Sequence, residues 1–295
     1  MLHYEPPLYR PPSEGRSVIV QATIGCSFNR CTFCSMYKSK AFRPRPRADV
    51  FADIATAARL WPDATRVFLA DGDALVLPTD DLAAILDRLR AAFPRLERVS
   101  LYATPINLNQ KPVAELRQLR ENGLSLAYLG IESGAPAILR RIRKGASPDG
   151  IADALARARA AGIAISATVI LGLGGRHLWQ DHVDGTIDLI NRAPPAFLST
   201  LQLRLEPAET ADFIARFDRQ GIPFAWQDDA GILAELERLL QGLDPADPVV
   251  FRSNHASNCL PLAGILPDDR DSLLAGIAAA RSGAPMLRPT FLRGL

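Results

Sequence analysis

Three cysteines fall within nine residues, in the stretch Gly25-Cys26-Ser27-Phe28-Asn29-Arg30-Cys31-Thr32-Phe33-Cys34. Three thiolates on one short loop suit a cuboidal iron–sulfur cluster with one iron left open. A tetrahedral zinc site wants a fourth ligand. Only Cys259 or a distant histidine could supply it, and the second cysteine pair of a zinc ribbon is missing. The plainer alternatives are a zinc site of that kind or a buried group of thiols. Clustered cysteines in a chain this long also point to a reducing compartment rather than to a disulfide framework.

The elements that must position this loop alternate along the chain. The loop follows a β-rich run at residues 17–24, so it stands at the C-terminal end of a strand. Further runs occur at 66–70, 98–104, 125–131, 163–171 and 197–205. Helical patterns separate them at 49–60, 80–93, 112–122, 149–161 and 179–192. Leu82, Ile85, Leu86 and Leu89 recur near the 3.6 period behind an N-cap at Thr79, and Gly123 and Gly162 stop two helices. This order predicts an α/β fold, a partial (β/α)6 TIM-like barrel whose right-handed crossovers place helices outside a parallel sheet. Six strands fall short of the eight of a complete barrel, and active sites in such folds gather at the C-terminal strand ends. Residues 1–16 are expected to form an extended proline-rich segment and 17–206 the partial barrel. An α-rich C-terminal extension over 207–295 would cover it, with helices at 211–220, 230–241 and 268–281 and a short strand at 248–252.

Composition narrows the function classes. Hydrophobic residues at 48% and charged residues at 22% are ordinary for a globular protein. Lys and Arg number 34 against 32 Asp and Glu, so net charge argues neither for nucleic acid nor for a membrane. No targeting segment or bilayer-length apolar run is visible, which predicts a cytoplasmic protein. With only Cys259 outside the loop, a second cluster domain cannot be built, which argues against methylthiotransferases and other multi-cluster enzymes.

The cysteine loop resembles that of the radical S-adenosylmethionine (radical SAM) superfamily. The family hallmark is Cys-x3-Cys-x2-Cys with an aromatic residue before the last cysteine. Cys31-Thr32-Phe33-Cys34 matches its second half; Cys26 stands one residue further away, a difference that a bulge in the loop can absorb. Ala70-Asp71-Gly72-Asp73-Ala74 resembles the Gly-Gly-Glu-type turn that binds the methionine ammonium, with Asp71 and Asp73 as departures. Gly130-Ile131-Glu132-Ser133-Gly134 resembles the family's G-x-E-S-G turn, whose acid and hydroxyl meet S-adenosylmethionine. Lys144 falls where relatives often place an arginine for the methionine carboxylate. The strand 167–171 and glycine turn 172–175 resemble the wall against adenine, with Thr168 as a polar contact beside Ile170 and Leu171. The plain alternatives are an Asp-Gly turn, a solvated acid, a solvated helix end and an ordinary strand. The resemblance covers about residues 17–206.

The resemblance implies that Cys26, Cys31 and Cys34 hold three irons of a [4Fe-4S] cluster whose fourth iron chelates S-adenosylmethionine. Reductive cleavage then gives a 5′-deoxyadenosyl radical that takes hydrogen from substrate, with flavodoxin or ferredoxin as reductant. Candidate substrate contacts come from alternation: Gln202, Arg204 and Glu206 on one strand face, and Ser100, Tyr102 and Thr104 on another. The dense polar segment 251–259 adds Arg252, Asn254 and His255, the last a candidate acid or base. That segment is otherwise an Asn/Ser turn with a structural histidine. Lys38, Lys40, Arg43, Arg45 and Arg47 read as a solvated loop, or else as a site for an anionic substrate or the electron donor. His177 and His182 read as structural or exposed, and Cys259 as an inert buried thiol. A small polar substrate is the first expectation. A macromolecular one (RNA or protein), or a non-enzymatic iron–sulfur or zinc protein, are the alternatives.

Overall fold

The computed structural model describes residues 2–284 and 286–294. They divide into two compact units. The first holds the described residues up to Asn29 together with Cys34–Leu129 and Ala156–Ile165; the second holds Arg30–Phe33, Gly130–Leu155 and the described residues from Ser166 onward.

In the first unit, β1 (Val18–Gln21) is followed after one residue by β2 (Thr23–Ile24), which leaves the β1 ladder and pairs antiparallel with β3 (Arg43–Pro44). The cysteine loop thus hangs from a ribbon closed at its base. Helix α1 (Arg47–Leu60), β4 (Arg66–Ala70), α2 (Thr79–Ala92), β5 (Arg98–Ala103), α3 (Pro105–Gln110), α4 (Val113–Glu121) and β6 (Leu124–Glu132) follow. Strands β1, β4, β5 and β6 pair in that order, all parallel. Val67, Leu69, Val99 and Leu101 are buried on one face of these strands. On the other face the rings of Phe68, Tyr102 and Tyr128 meet edge to face. Helix α2 buries Leu82, Ile85, Leu86 and Leu89, the stripe its period predicts. Helix α3 was not expected, because its six residues are too few to show a period. A capping box between Thr104 and Asn107 forms it instead, which ends β5 before Thr104. The N-terminal segment is anchored at Glu14, which is buried and accepts from Tyr128 Oη at 2.6 Å and Arg98 Nη2 at 2.8 Å.

In the second unit come α5 (Pro136–Arg141), most of α6 (Pro148–Ala160) and most of β7 (Ala164–Leu171). After them come α7 (Gly175–Arg192), β8 (Phe197–Gln202), α8 (Pro207–Asp218), α9 (Asp229–Gly242), β9 (Val249–Arg252), β10 (Ala263–Leu266) and α10 (Arg270–Arg281). β7, β8 and β9 pair parallel and β10 joins β9 antiparallel. The fold is therefore α/β with mostly parallel strands. β1, β4, β5, β6, β7 and β8 match the six expected runs; β10, four residues long, carries too little pattern to be read in sequence.

One expectation fails here. The run 197–205 stops as a strand at Gln202, because Pro207 starts α8 with Glu206 at its N-cap. Gln202, Arg204 and Glu206 therefore do not form one strand face. Among the described residues no helix is long and apolar enough to cross a membrane.

Candidate functional site

The first unit carries Cys26 and Cys34, both half-buried. The turn after β4 brackets Cys26 from both sides. Asp71 Oδ2 accepts from Gly25 N at 3.1 Å, Gln21 Nε2 at 3.0 Å and Lys40 Nζ at 2.8 Å. Asp73 accepts from Ser27 N at 2.8 Å and from the Ser27 hydroxyl. Gly72 N donates to Gly25 O at 3.1 Å. A Cβ at Gly72 would lie 2.7 Å from Cys26 Cβ and 2.9 Å from the Tyr37 ring, so only glycine lets the turn close on the loop. Burial raises the Asp73 carboxyl, with the Ser27 and Asn107 hydrogen bonds pulling the other way. The two acids that the resemblance aims at the methionine ammonium are thus held by the cysteine loop itself.

The basic tract is not a solvated loop throughout. Lys40 is buried on Asp71, with two further bonds to Glu5 O and Pro7 O at 2.7 Å each. Arg45 pairs with buried Asp53 at 2.7 Å, Arg43 with Glu5, and Arg47 with Asp81 at 3.4 Å. The tract reads as a solvated loop; the acids that pair with it come from other segments, 8 residues away for Arg45 and 31 for Lys40. Tyr102, in the ring cluster, has its hydroxyl ionisation pushed far up by burial and then by Tyr128 and Cys34.

In the second unit, Thr32 N of the segment holding Cys31 and Phe33 donates to Ile142 O at 3.0 Å. At the end of β6, Glu132 adopts φ +63° and turns its carboxylate back over Gly130, where a Cβ would lie 2.0 Å from Oε1. Lys144 Nζ meets that oxygen at 2.9 Å. Ser133 is fully buried: its hydroxyl lies 2.8 Å from His182 Nδ1 and accepts from Ala135 N at 3.0 Å. His182 also hydrogen-bonds to the Ile170 backbone, and burial lowers its pKa to about 4. The neutral ring therefore ties the Glu132–Ser133 turn to β7, a role its sequence position did not reveal.

Thr168 and Ile170 share one face of β7, while Leu171 lies buried on the other. The following Gly172, at φ +81°, donates its N–H to Glu235 Oε2 at 2.7 Å. Glu235 is wholly buried on α9, takes a second bond from Gln227 Nε2 at 3.0 Å, and is pushed by burial up to about 7. Its role was not legible from its place in the sequence. The available signal was an acid inside the apolar stripe of Ile232, Leu233, Leu236 and Leu239.

Register places Thr168, Ser199 and Arg252 side by side across β7, β8 and β9. All three are partly exposed, whereas Val169, Leu198 and Phe251 on the opposite face are buried. The Arg252 guanidinium lies 5.6 Å from the Phe197 ring centroid. The polar segment after it is largely internal. Asn258 Nδ2 donates to Thr200 O at 2.7 Å and Ser253 O at 2.8 Å, and Asn258 Oδ1 accepts Gln202 N at 2.6 Å. His255, half-buried, lies 2.9 Å from Ser257 Oγ, and burial followed by Arg288 lowers its pKa. Asn254 is exposed, and exposed Arg204 donates to Arg293 O at 2.8 Å. Cys259 is buried, which pushes its thiol up to about 11.

The three cysteines are the donor type that an iron–sulfur cluster takes. Among the described residues no three His, Cys, Asp or Glu side chains are grouped to hold a single metal ion. A cuboidal cluster asks instead for thiolates that each take a different iron. Beside the loop, Tyr37 Oη and Asp71 Oδ1 are buried with no hydrogen-bond partner among the described residues. Buried polar atoms are normally satisfied, so these two have hydrogen-bonding capacity open to a bound group.

Comparison with known proteins gives one family. The model of the radical SAM superfamily matches residues 20–190. A curated relative, the tRNA-2-methylthio-N(6)-dimethylallyladenosine synthase of Acidothermus cellulolyticus, is 26% identical over 209 residues, which are 68% of this chain and 41% of the relative. The chain thus spans less than half of that relative's length. Among solved structures, methylornithine synthase aligns with a TM-score of 0.55 at 13% identity, over 88% of this chain and 68% of its own. The radical S-adenosylmethionine methyltransferase TsrM from Kitasatospora setae, with cobalamin and a [4Fe-4S] cluster bound, aligns at 0.55 and 16% identity over 78% of this chain and 52% of its own. These likenesses show a TIM-barrel-like fold.

Proposed function

The chain belongs to the radical SAM superfamily, and on that premise we propose that it takes a hydrogen atom from a small anionic substrate bound at Arg252. Members of this family are enzymes that use a [4Fe-4S] cluster with S-adenosylmethionine and need an electron donor. When bound, the cluster supplies the electron that cleaves S-adenosylmethionine to a 5′-deoxyadenosyl radical.

Cys26, Cys31 and Cys34 are the residues that would hold the irons. Asp71, Gly72 and Asp73 fix the backbone on both sides of Cys26. Glu132, Lys144, Thr168 and Ile170 are the proposed contacts to S-adenosylmethionine. Ser133 acts behind Glu132 through His182, and Leu171 acts behind Ile170 from the packed face. The observation that carries the substrate class is the row Thr168–Ser199–Arg252. It leads from a proposed cofactor contact to a partly buried guanidinium that has no carboxylate partner among the described residues. A guanidinium held over a ring keeps its donor edge free for a carboxylate or phosphate, in surroundings that strengthen the pairing. Modification of an RNA base is the second candidate, on the strength of the tRNA-modifying relative.

The test is anaerobic. Reconstituted protein is reduced with dithionite, given S-adenosylmethionine, and assayed for 5′-deoxyadenosine with Cys31→Ala as control. Candidate small carboxylates, small phosphates and a tRNA mixture are then added separately. Stimulation by a small anion, with KM raised tenfold or more in Arg252→Gln (the order of a lost charge-assisted bond), supports the proposal. Stimulation by tRNA alone, or an unchanged KM in Arg252→Gln, refutes it.

A further inference from the structure

We propose that Arg140 and Arg143, on an apolar groove of α5 and the turn after it, together with Arg30 on the loop segment bonded to that turn, form the docking surface for an acidic electron-carrier protein. The proposal rests on the radical SAM reading only in requiring that an electron reach the cysteine loop.

The groove has a volume of about 440 Å³ and is lined by Pro136, Leu139, Ala146 and Pro148, with Arg140 and Arg143 among its walls. Among the described residues no acidic side chain lines it. The three arginines are exposed and have no carboxylate partner among the described residues. That separates them from the basic tract 38–47, whose Lys40, Arg43, Arg45 and Arg47 are all spent on acids of the chain. The nearby acids are taken as well: Glu132 by Lys144 and Asp149 by Arg192. The positive charge at this groove is therefore left for another molecule.

Two features connect the groove to the cysteine loop. Thr32, between Cys31 and Cys34, donates its N–H to Ile142 O at 3.0 Å, so the backbone just before Arg143 is bonded to the loop. Arg30 stands on the same loop segment, immediately before Cys31. The end of α5 also presents its arginine at a conformational cost. Arg143 takes φ +55° in the position after the C-cap, where glycine is favoured, and the turn closes through Lys144 N to Leu139 O at 3.0 Å. A charged side chain kept at a glycine position, facing solvent and unpaired, is explained by a partner that meets it.

An apolar floor with an unpaired cationic rim suits a protein whose contact face is acidic around a small apolar centre. Flavodoxins and plant-type ferredoxins are of this kind. The rim would speed encounter and the floor would set the register.

The experiment uses reconstituted full-length protein with iron and sulfide matched between variants. Reduction of the cluster is followed anaerobically by the loss of its visible absorbance, once with reduced flavodoxin and once with dithionite. The proposal expects R140E/R143E to be reduced by flavodoxin roughly tenfold or more slowly than wild type, with a flatter salt dependence. Dithionite should reduce both within about twofold, since a small reductant needs no docking face. R140K/R143K should keep most of the flavodoxin rate. Flavodoxin reducing R140E/R143E at the wild-type rate would overturn the proposal, as would equal slowing by both reductants. Loss of tRNA binding with the flavodoxin rate intact would give the surface to RNA instead. Formation of 5′-deoxyadenosine by dithionite-reduced wild type tests the underlying chemistry separately, so failure of either idea is distinguishable.

Discussion

Glu235→Gln is the perturbation with the best-defined magnitude. The carboxyl is wholly buried, accepts from Gly172 N and Gln227 Nε2, and has its pKa raised from 4.5 to about 7 by burial. A group whose folded pKa is raised contributes its full stability below the unfolded pKa and loses it as pH rises through the folded one. The gap of about 2.5 pH units, at ~1.36 kcal/mol each, means that holding the charge above pH 7 costs roughly 3 kcal/mol. Glutamine keeps the acceptor for Gly172 N, and the Gln227 amide can flip to accept from the new amide. The variant is therefore expected to match wild type near pH 4.5 and to be more stable by up to roughly 3 kcal/mol at pH 8. His182 acts in the opposite direction: its pKa is lowered from 6.5 to about 4, so its contribution is lost as pH falls through that window. The informative quantity is thus the difference between the two proteins at each pH, in which His182 cancels. Urea unfolding of cluster-free protein from pH 4.5 to 8 measures it. A difference that stays constant, or that grows toward acid, would refute the assignment of a buried, proton-linked carboxylate to the Gly172 turn.

Three further outcomes are expected. Lys40→Met strands the Asp71 carboxylate without its cation and should destabilise the protein by ~3–5 kcal/mol in chemical denaturation; adding Asp71→Asn should restore part of the loss. Gly72→Ala forces a Cβ into the 2.7 Å gap to Cys26. It should cost ~1–3 kcal/mol and lower the iron retained after reconstitution while far-ultraviolet circular dichroism is unchanged. His182→Leu removes the ring that meets the Ser133 hydroxyl and the Ile170 backbone, leaving Ser133 only its bond from Ala135 N, and should cost ~1–3 kcal/mol while weakening S-adenosylmethionine binding in calorimetry. Unchanged binding there would separate His182 from the site.

The sequence alone determined the parts of this protein that are local in cause. The β/α alternation was legible because each element carries its own period and stop signals, as the stripe of α2 and Gly123 after α4 show. The cysteine loop was legible because its three cysteines lie within nine residues, and the glycine at 72 because one residue type fits so close an approach. Elements too short for a period, α3 and β10, were not legible. Nor was the end of β8, where the cap of α8 overrode the alternation through Glu206.

Tertiary structure decided what each polar group does. Asp71 and Asp73 read as ligands to a cofactor, and the fold adds bonds from Gly25 N and Ser27 N on the two sides of Cys26. Lys40 and Arg45 read as solvated, and acids 31 and 8 residues away bury them. Ser133, His182 and Glu235 meet the site turns from positions dozens of residues apart in the chain. The row Thr168–Ser199–Arg252 exists only once three strands are in register. A polar group's cost is fixed by its own chemistry, but the partner that offsets the cost is chosen by which distant segments the packed core brings together.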